Sequence, residues 1–450
     1  LAQYNCKEDF LEAIQVQIRC KKARCFIIEE MEQHIEDQKD AYMNDCDDDK
    51  TAMSKACEQM GDPVAIGKQL DRIHRPRMEW SILLAVLVLC SLGILAQISL
   101  GNMIKNVNLP NSVNIEKHIL FMALGFLLML VAYFLEYSFI GKYSKILCLL
   151  FWIGFVFYAP LNNIVNDSFR YIYPYGLLFI PIYGGILYAY RDKGYTGLIK
   201  CLMISIFSFM IELKFVVQCS VYLGILFSSL IMLSIAVIKN WFGTSRKIAM
   251  AVTWGWLPIS YGLLTLLNIN IFNTYQIVRL KETIKALLQI GLYNHDYQIN
   301  RAINIISHAK LFGGSNLFNE KYIPGFNTEY LLTYIIGKWG LVAGILIIVL
   351  FIALIGRMIY LAYHLKNSLG MFVGLGCSLV YALQGSIYIL SNLGVQFVAQ
   401  INLPFVSYGG SSLLINFSVL GLMLSIFRNT NIVKEERYTG VFTLRINRAK

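Results

Sequence analysis

Trp80-Ser-Ile-Leu-Leu-Ala-Val-Leu-Val-Leu-Cys90-Ser-Leu-Gly-Ile-Leu-Ala-Gln-Ile-Ser99 carries no charge and is about as long as a helix must be to cross a bilayer. Comparable apolar runs recur at 118–138, 143–163, 174–190, 197–213, 216–238, 247–268, 329–355, 368–391 and 408–427. Together they predict an all-α, polytopic membrane protein of about ten transmembrane helices. Composition agrees: 56% of the 450 residues are hydrophobic and 15% charged. With a mean hydropathy of +0.55, that balance overrules the two or three soluble domains length alone would allow. Glu212 and Lys214 mark the turn dividing 197–238 into two spans.

The formal charge of +11 is read by location. Arg75, Arg77, Lys142, Lys145, Arg191, Lys193, Lys200, Lys239, Arg246, Lys247, Arg357 and Lys366 fall on one side of the predicted spans, with the basic tail 429–450. Short basic loops face the cytoplasm, so both termini are expected inside. The 268–328 stretch is then a large extracellular loop, and Asn166–Tyr173 and Asn392–Pro404 share its side. Basic charge so placed reports orientation and contact with membrane lipid; no motif for nucleic acid is present.

Residues 1–76 read as a small cytosolic helical module, without a signal-peptide pattern. Phe10, Ile14 and Ile18 recur at a helical period, and a second helix over 22–44 sets Phe26, Ile27, Met31 and Ile35 on one side. Asp47-Asp-Asp-Lys50 begins a third helix through Met60, and Pro63 an early position of a fourth. The acids of 29–49 lack EF-hand spacing, and His34 lacks a second histidine at ligand spacing, so no metal site is read. The ten cysteines include no CxxC pair and are taken as reduced packing residues.

Chemistry concentrates outside. The loop's last third runs Asp296-Tyr297-Gln298, then Leu311-Phe312-Gly313, then Ile323-Pro324-Gly-Phe-Asn-Thr328-Glu329-Tyr330. Glu329 stands where an apolar run begins, and a carboxylate at a membrane boundary is a functional candidate by default. Further on, Leu403-Pro404-Phe-Val-Ser407-Tyr408-Gly-Gly-Ser411-Ser412 joins a helix-stopping proline to small residues that permit close backbone packing.

That last string resembles the hallmark of the SEDS family (shape, elongation, division and sporulation), typified by RodA, FtsW and SpoVE, and the resemblance covers most of 80–428. The loop is similar to the family's GYQ, LFG and LPEAHTDF pattern. Gly337-Lys-Trp-Gly340 is similar to its GEELG segment, Asn166-Asp-Ser-Phe-Arg170-Tyr-Ile172 to its NGARRWI loop, and Asn392-Leu-Gly394 to its NxG stretch. Met60-Gly-Asp-Pro63 and His74-Arg-Pro76 resemble prefix modules of some Firmicute membrane proteins.

The resemblance implies a peptidoglycan glycosyltransferase in a bacterial cytoplasmic membrane. It would polymerise lipid II at the outer leaflet, working with a class B penicillin-binding protein. Glu329 matches the family's catalytic aspartate. Glycosyl transfer needs a base for the acceptor hydroxyl and cations for the departing diphosphate. Arg170, Tyr297, Gln298, Lys321, Ser407, Tyr408 and Ser411 are the candidate substrate contacts, Arg170 and Lys321 toward the diphosphate; Arg279 and Arg301 are further cations of that loop. No cofactor is called for, and no metal ligand is read. Whether a divalent cation assists stays open, because no outer-side carboxylate cluster has ligand spacing. Gly325, Asn327 and Glu329 replace the family's Glu, His and Asp, Arg301 a usual Gln, and Pro174-Tyr-Gly its PSE. Those departures keep two alternatives in view: a catalytically degenerate scaffold for the penicillin-binding protein, and a transporter of lipid-linked precursor. The transporter predicts inverted repeats, and none is evident.

Overall fold

Inside a bilayer, backbone N–H and C=O groups find no water, so apolar runs must bond within themselves as helices. The computed structural model describes residues 7–43, 49–76, 78–106, 114–158, 164–165, 168–169, 172–215, 219–266, 297–314, 325–393 and 401–429. Its one sheet among them is a two-stranded hairpin, β1 (Ile164–Val165) antiparallel to β2 (Ser168–Phe169). Leu1–Met78 belong to one compact unit and Glu79–Ile426 to a second.

The first unit holds α1 (Lys7–Gln17), α2 (Lys21–Tyr42), α3 (Asp49–Met60) and α4 (Pro63–Ile73). Phe10, Ile14, Ile18, Ala23, Ile27, Ile35 and Cys57 form its core, with Phe26 and Met31 packed at the margin. Asp62 caps α4, its carboxylate accepting from the N–H groups of Val64 (3.1 Å) and Ala65 (3.2 Å). Two otherwise unbonded donors of the first turn are thereby satisfied.

The second unit continues with α5 (Trp80–Asn106), α6 (Ile115–Phe134), α7 (Ser138–Lys142), α8 (Ser144–Tyr158), α9 (Tyr173–Gly176), α10 (Phe179–Ala189), α11 (Gly194–Phe215), α12 (Cys219–Ile238) and α13 (Arg246–Leu266). After the loop come α14 (Tyr297–Ser307), α15 (Leu331–Trp339), α16 (Leu341–Tyr363), α17 (Ser368–Asn392) and α18 (Gly410–Asn429). Among the described residues seven helices are long and apolar enough to cross a membrane: α5, α6, α11, α12, α16, α17 and α18. The other three predicted runs carry α8, the α9–α10 pair and α13. Burial separates centre from rim. For α17, 67% of the apolar stretch is buried within the protein, against 17% for α6, so α17 lies central and α6 faces lipid. Helix α17 packs against α10, α16 and α12. At the α10 crossing, a Cβ on Gly376 would stand 3.0 Å from the Ile180 carbonyl oxygen, tighter than an ordinary contact, so the glycine eases the close approach of the two backbones.

One predicted span is corrected. The apolar run 329–355 is not one helix: α15 ends at Trp339, and the spanning helix α16 starts at Leu341. Gly340 makes the break at φ +100, a conformation an L side chain resists. The Leu311-Phe312-Gly313 segment fills it. Carbonyls of Lys310 and Leu311 accept from Leu341 N–H (3.0 Å) and Val342 N–H (3.2 Å), and Gly313 N–H donates to the Trp339 carbonyl (3.1 Å).

Cys90, Cys148, Cys201 and Cys377 are buried in the membrane unit, as packing residues would be. Glu212, one of the two charges that mark the turn between the 197–213 and 216–238 runs, is 1% exposed, and its carboxylate finds no hydrogen-bond partner among the described residues. The side chain of Lys214 lies outside them.

Candidate active site

Gly325 opens a tight turn at φ +92, and its carbonyl accepts from the N–H groups of Thr328 (3.0 Å) and Tyr330 (2.9 Å). The Thr328 hydroxyl donates to the same oxygen at 3.3 Å. Phe326 and Tyr330 are fully buried on either side, and Phe326 stacks at a tilt on Tyr334 with ring centroids 5.7 Å apart. The half-buried Glu329 is thus carried on a backbone anchored at both ends.

The end of α17 clamps this turn to the start of α15. Asn392 Nδ2 donates to the Glu329 carbonyl at 2.9 Å, while its Oδ1 accepts from the Thr333 hydroxyl (2.9 Å) and Thr333 N–H (3.3 Å). The Tyr388 hydroxyl accepts from Leu332 N–H at 2.8 Å. Helix α15 begins after Tyr330, which gives no side-chain cap. Two donors of its first turn are therefore capped from α17 instead.

The signature segment completes the junction. Leu403 N–H donates to the Ser407 hydroxyl at 3.1 Å, and Ser407 N–H returns to the Leu403 carbonyl at 3.1 Å. Phe405 is held at φ +67, fully buried between Tyr381 (5.5 Å, stacked) and Phe417 (5.3 Å, edge-on). Tyr408 N–H donates to the Asn327 carbonyl at 2.9 Å, and Gln97 Nε2 of α5 donates to that same oxygen at 2.7 Å. Asn402 N–H donates to the Tyr173 hydroxyl at 3.2 Å. The Glu329 carboxylate lies near enough to Tyr173 and Tyr388 to act on both electrostatically. His118 of α6 is fully buried against the Tyr408 ring, with centroids 5.7 Å apart. Neither His118 ring nitrogen has a hydrogen-bond partner among the described residues.

The structure brings Glu329, Ser407 and Tyr408 together. Ser407 is buried with its hydroxyl engaged by Leu403, and Ser411 is half-buried at the start of α18. Gln298 is half-buried on α14, which packs against α15 and α17. Arg170, Arg279, Lys321 and the side chain of Tyr297 lie outside the described residues. No group of three or more His, Cys, Asp or Glu that could hold a metal ion occurs among the described residues. Gln97, Tyr173 and Tyr388 escaped sequence reasoning, and Asn392 was noticed only as part of a motif. The signal they share is an uncharged hydrogen-bonding side chain within or at the edge of an apolar run, where a buried group needs a partner. Chemically the arrangement offers one carboxylate, positioned by its own backbone, beside two buried phenols at a helix boundary. A carboxylate so held is chemically able to accept a proton.

Residues 79–432 match the FtsW/RodA/SpoVE profile, described as a cell cycle protein. The probable peptidoglycan glycosyltransferase FtsW of Coxiella burnetii is 30% identical over 172 residues, 37% of this chain and 46% of that protein. Stage V sporulation protein E of Bacillus subtilis is 33% identical over 135 residues, 29% of this chain and 37% of that protein. The chain thus spans less than half the length of these curated relatives. Two solved structures share its fold. A chain of a peptidoglycan synthase complex gives TM-score 0.55 at 18% identity, covering 78% of this chain and 98% of that one. The rod shape determining protein RodA of Thermus thermophilus gives 0.51 at 16%, covering 78% and 97%. With the profile matching well over half its residues, this chain belongs to the FtsW/RodA/SpoVE family of cell cycle proteins.

Proposed function

We propose that the protein is a peptidoglycan glycosyltransferase that polymerises lipid II at the outer face of a bacterial cytoplasmic membrane. One observation carries the reading: the carboxylate matching the family's catalytic acid sits on a turn bonded to the family's signature segment through Asn327 and Tyr408. Glu329 takes the proton from the acceptor's sugar hydroxyl as that oxygen attacks the donor's anomeric carbon, and undecaprenyl diphosphate departs. Arg170 and Lys321 draw the diphosphate's charge, and Tyr297, Gln298, Tyr408 and Ser411 line the substrate's approach. Ser407 acts from behind, fixing the segment that presents Tyr408. Both termini lie in the cytoplasm, and a class B penicillin-binding protein is the partner that crosslinks the strands. Two named likenesses support this: an FtsW described as a probable glycosyltransferase, and a chain of a peptidoglycan synthase complex.

The test is conversion of labelled lipid II to glycan strands by purified protein with its penicillin-binding partner. Glu329→Gln should abolish polymer. Glu329→Asp should keep activity, lowered by up to about 100-fold if the shorter reach misplaces the carboxylate by about 1 Å. Inactive wild type would leave the scaffold reading standing. Movement of lipid II across liposome bilayers without polymer would identify a transporter.

A further inference from the structure

Three lysines from two stretches converge on one aromatic ring at the basic end of the membrane unit. Lys145 stands in the first turn of α8, Lys193 directly precedes α11, and Lys200 lies in the second turn of α11. Their Nζ atoms are 5.3, 4.9 and 6.0 Å from the Tyr190 ring centroid. Ammonium groups so gathered lie within roughly one Debye length of each other and repel. Partial burial, then the charges of Lys145 and Lys200, hold the Lys193 ammonium below its ordinary value. The adjacent Asp192 turns its carboxylate to Arg191 at 3.9 Å.

What lies beside the cluster points to the kind of anion it suits. Ile146 and Ile199, next to Lys145 and Lys200, are exposed apolar side chains. The apolar stripes continue one turn deeper with exposed Leu149 on α8 and Met203 on α11. The two helices are tied together by Trp152, whose Nε1–H donates to Ser208 at 2.8 Å. A free phosphate needs only the cations. Cations above two lipid-exposed stripes on joined helices fit a headgroup and its chains. We propose that this face is a specific site for an anionic phospholipid, its phosphate held by Lys145, Lys193 and Lys200 and its acyl chains lying along α8 and α11.

The full chain, purified in neutral detergent, is titrated with phosphatidylglycerol or phosphatidylcholine, and bound lipid is counted by native mass spectrometry. Wild type should prefer phosphatidylglycerol. The Lys145→Gln/Lys193→Gln/Lys200→Gln variant should bind it at least about tenfold more weakly, while the matching triple Lys→Arg variant and Lys366→Gln keep wild-type affinity. Millimolar inorganic phosphate should fail to displace the lipid. Equal binding of the two lipids by wild type, unchanged affinity in the triple Gln variant, or full displacement by phosphate would each overturn the site. A melting temperature for the Gln variant in phosphatidylcholine equal to that of wild type shows that any loss is of binding and not of fold. Should that variant unfold, the wild-type lipid preference and the single Lys193→Gln change decide the matter.

Discussion

At the residue scale, Asn392 does more for the candidate site than any charged neighbour seen around it. One amide satisfies the Glu329 carbonyl, the Thr333 hydroxyl and the Thr333 N–H. Removing a partner from a buried polar group costs about 1–3 kcal/mol. Asn392→Ala should therefore lower the melting temperature of the purified protein and reduce lipid II polymerisation by a larger factor than the loss of fold explains. If that variant melts and polymerises like wild type, the clamp has no role. Asn392→Asp keeps the acceptor for Thr333 but sets a buried carboxyl against the Glu329 and Tyr388 carbonyls that the amide served, so it too should melt lower and lose activity. Phe405 shows where sequence reasoning stopped. The string Leu403–Ser412 reads as a helix-stopping proline followed by small residues that permit close packing. The left-handed residue is Phe405, in a conformation costing on the order of 1–3 kcal/mol and retained by its packing between Tyr381 and Phe417. Partners 24 and 12 residues away cannot be read from local composition.

At the scale of elements, the break at Gly340 separates what the sequence says from what tertiary contact adds. Hydropathy runs on through 329–355, and nothing in that pattern ends a helix at Trp339. The interruption comes from Lys310–Gly313, which lends its carbonyls to the first turn of α16. Gly340→Ala combines an unfavourable φ with a Cβ that would fall 2.6 Å from the Leu311 carbonyl oxygen. It should destabilise the protein by about 2 kcal/mol or more. The measurable result is earlier thermal unfolding in detergent and faster proteolysis near 311–314. A variant as stable as wild type would mean that the two helices fuse at little cost. The remaining helices were legible because lipid leaves an apolar run one way to satisfy its backbone. The four helices of the first unit were legible from period and from Pro63. The Asp62 cap followed the Gly-Asp-Pro string but needed coordinates to show which N–H groups it holds.

For the whole molecule, the charge distribution and the fold lead to one orientation that chemistry can test. Leu311 is 65% exposed on the segment beside α16, and Thr196 is exposed at the opposite, lysine-rich end. Leu311→Cys should react with a membrane-impermeant maleimide in intact cells, whereas Thr196→Cys should react only after permeabilisation. The reverse pattern would invert the molecule and remove Glu329 from the outer leaflet. The basic residues give an expected orientation, whereas the assembled site could not be read from the sequence, since its bonds join distant parts of the chain. The Asn327 carbonyl receives Gln97 from the first long membrane helix and Tyr408 from just before the last. Synthesis proceeds from the N-terminus at roughly 5–20 residues per second. Tyr408 follows Glu329 by 79 residues, an interval of roughly 4–16 s at that rate. Throughout it the turn bearing Glu329 lacks its last anchor. The order of the chain thus leaves that turn without the signature segment's bond until Tyr408 is made, a delay written into the sequence itself.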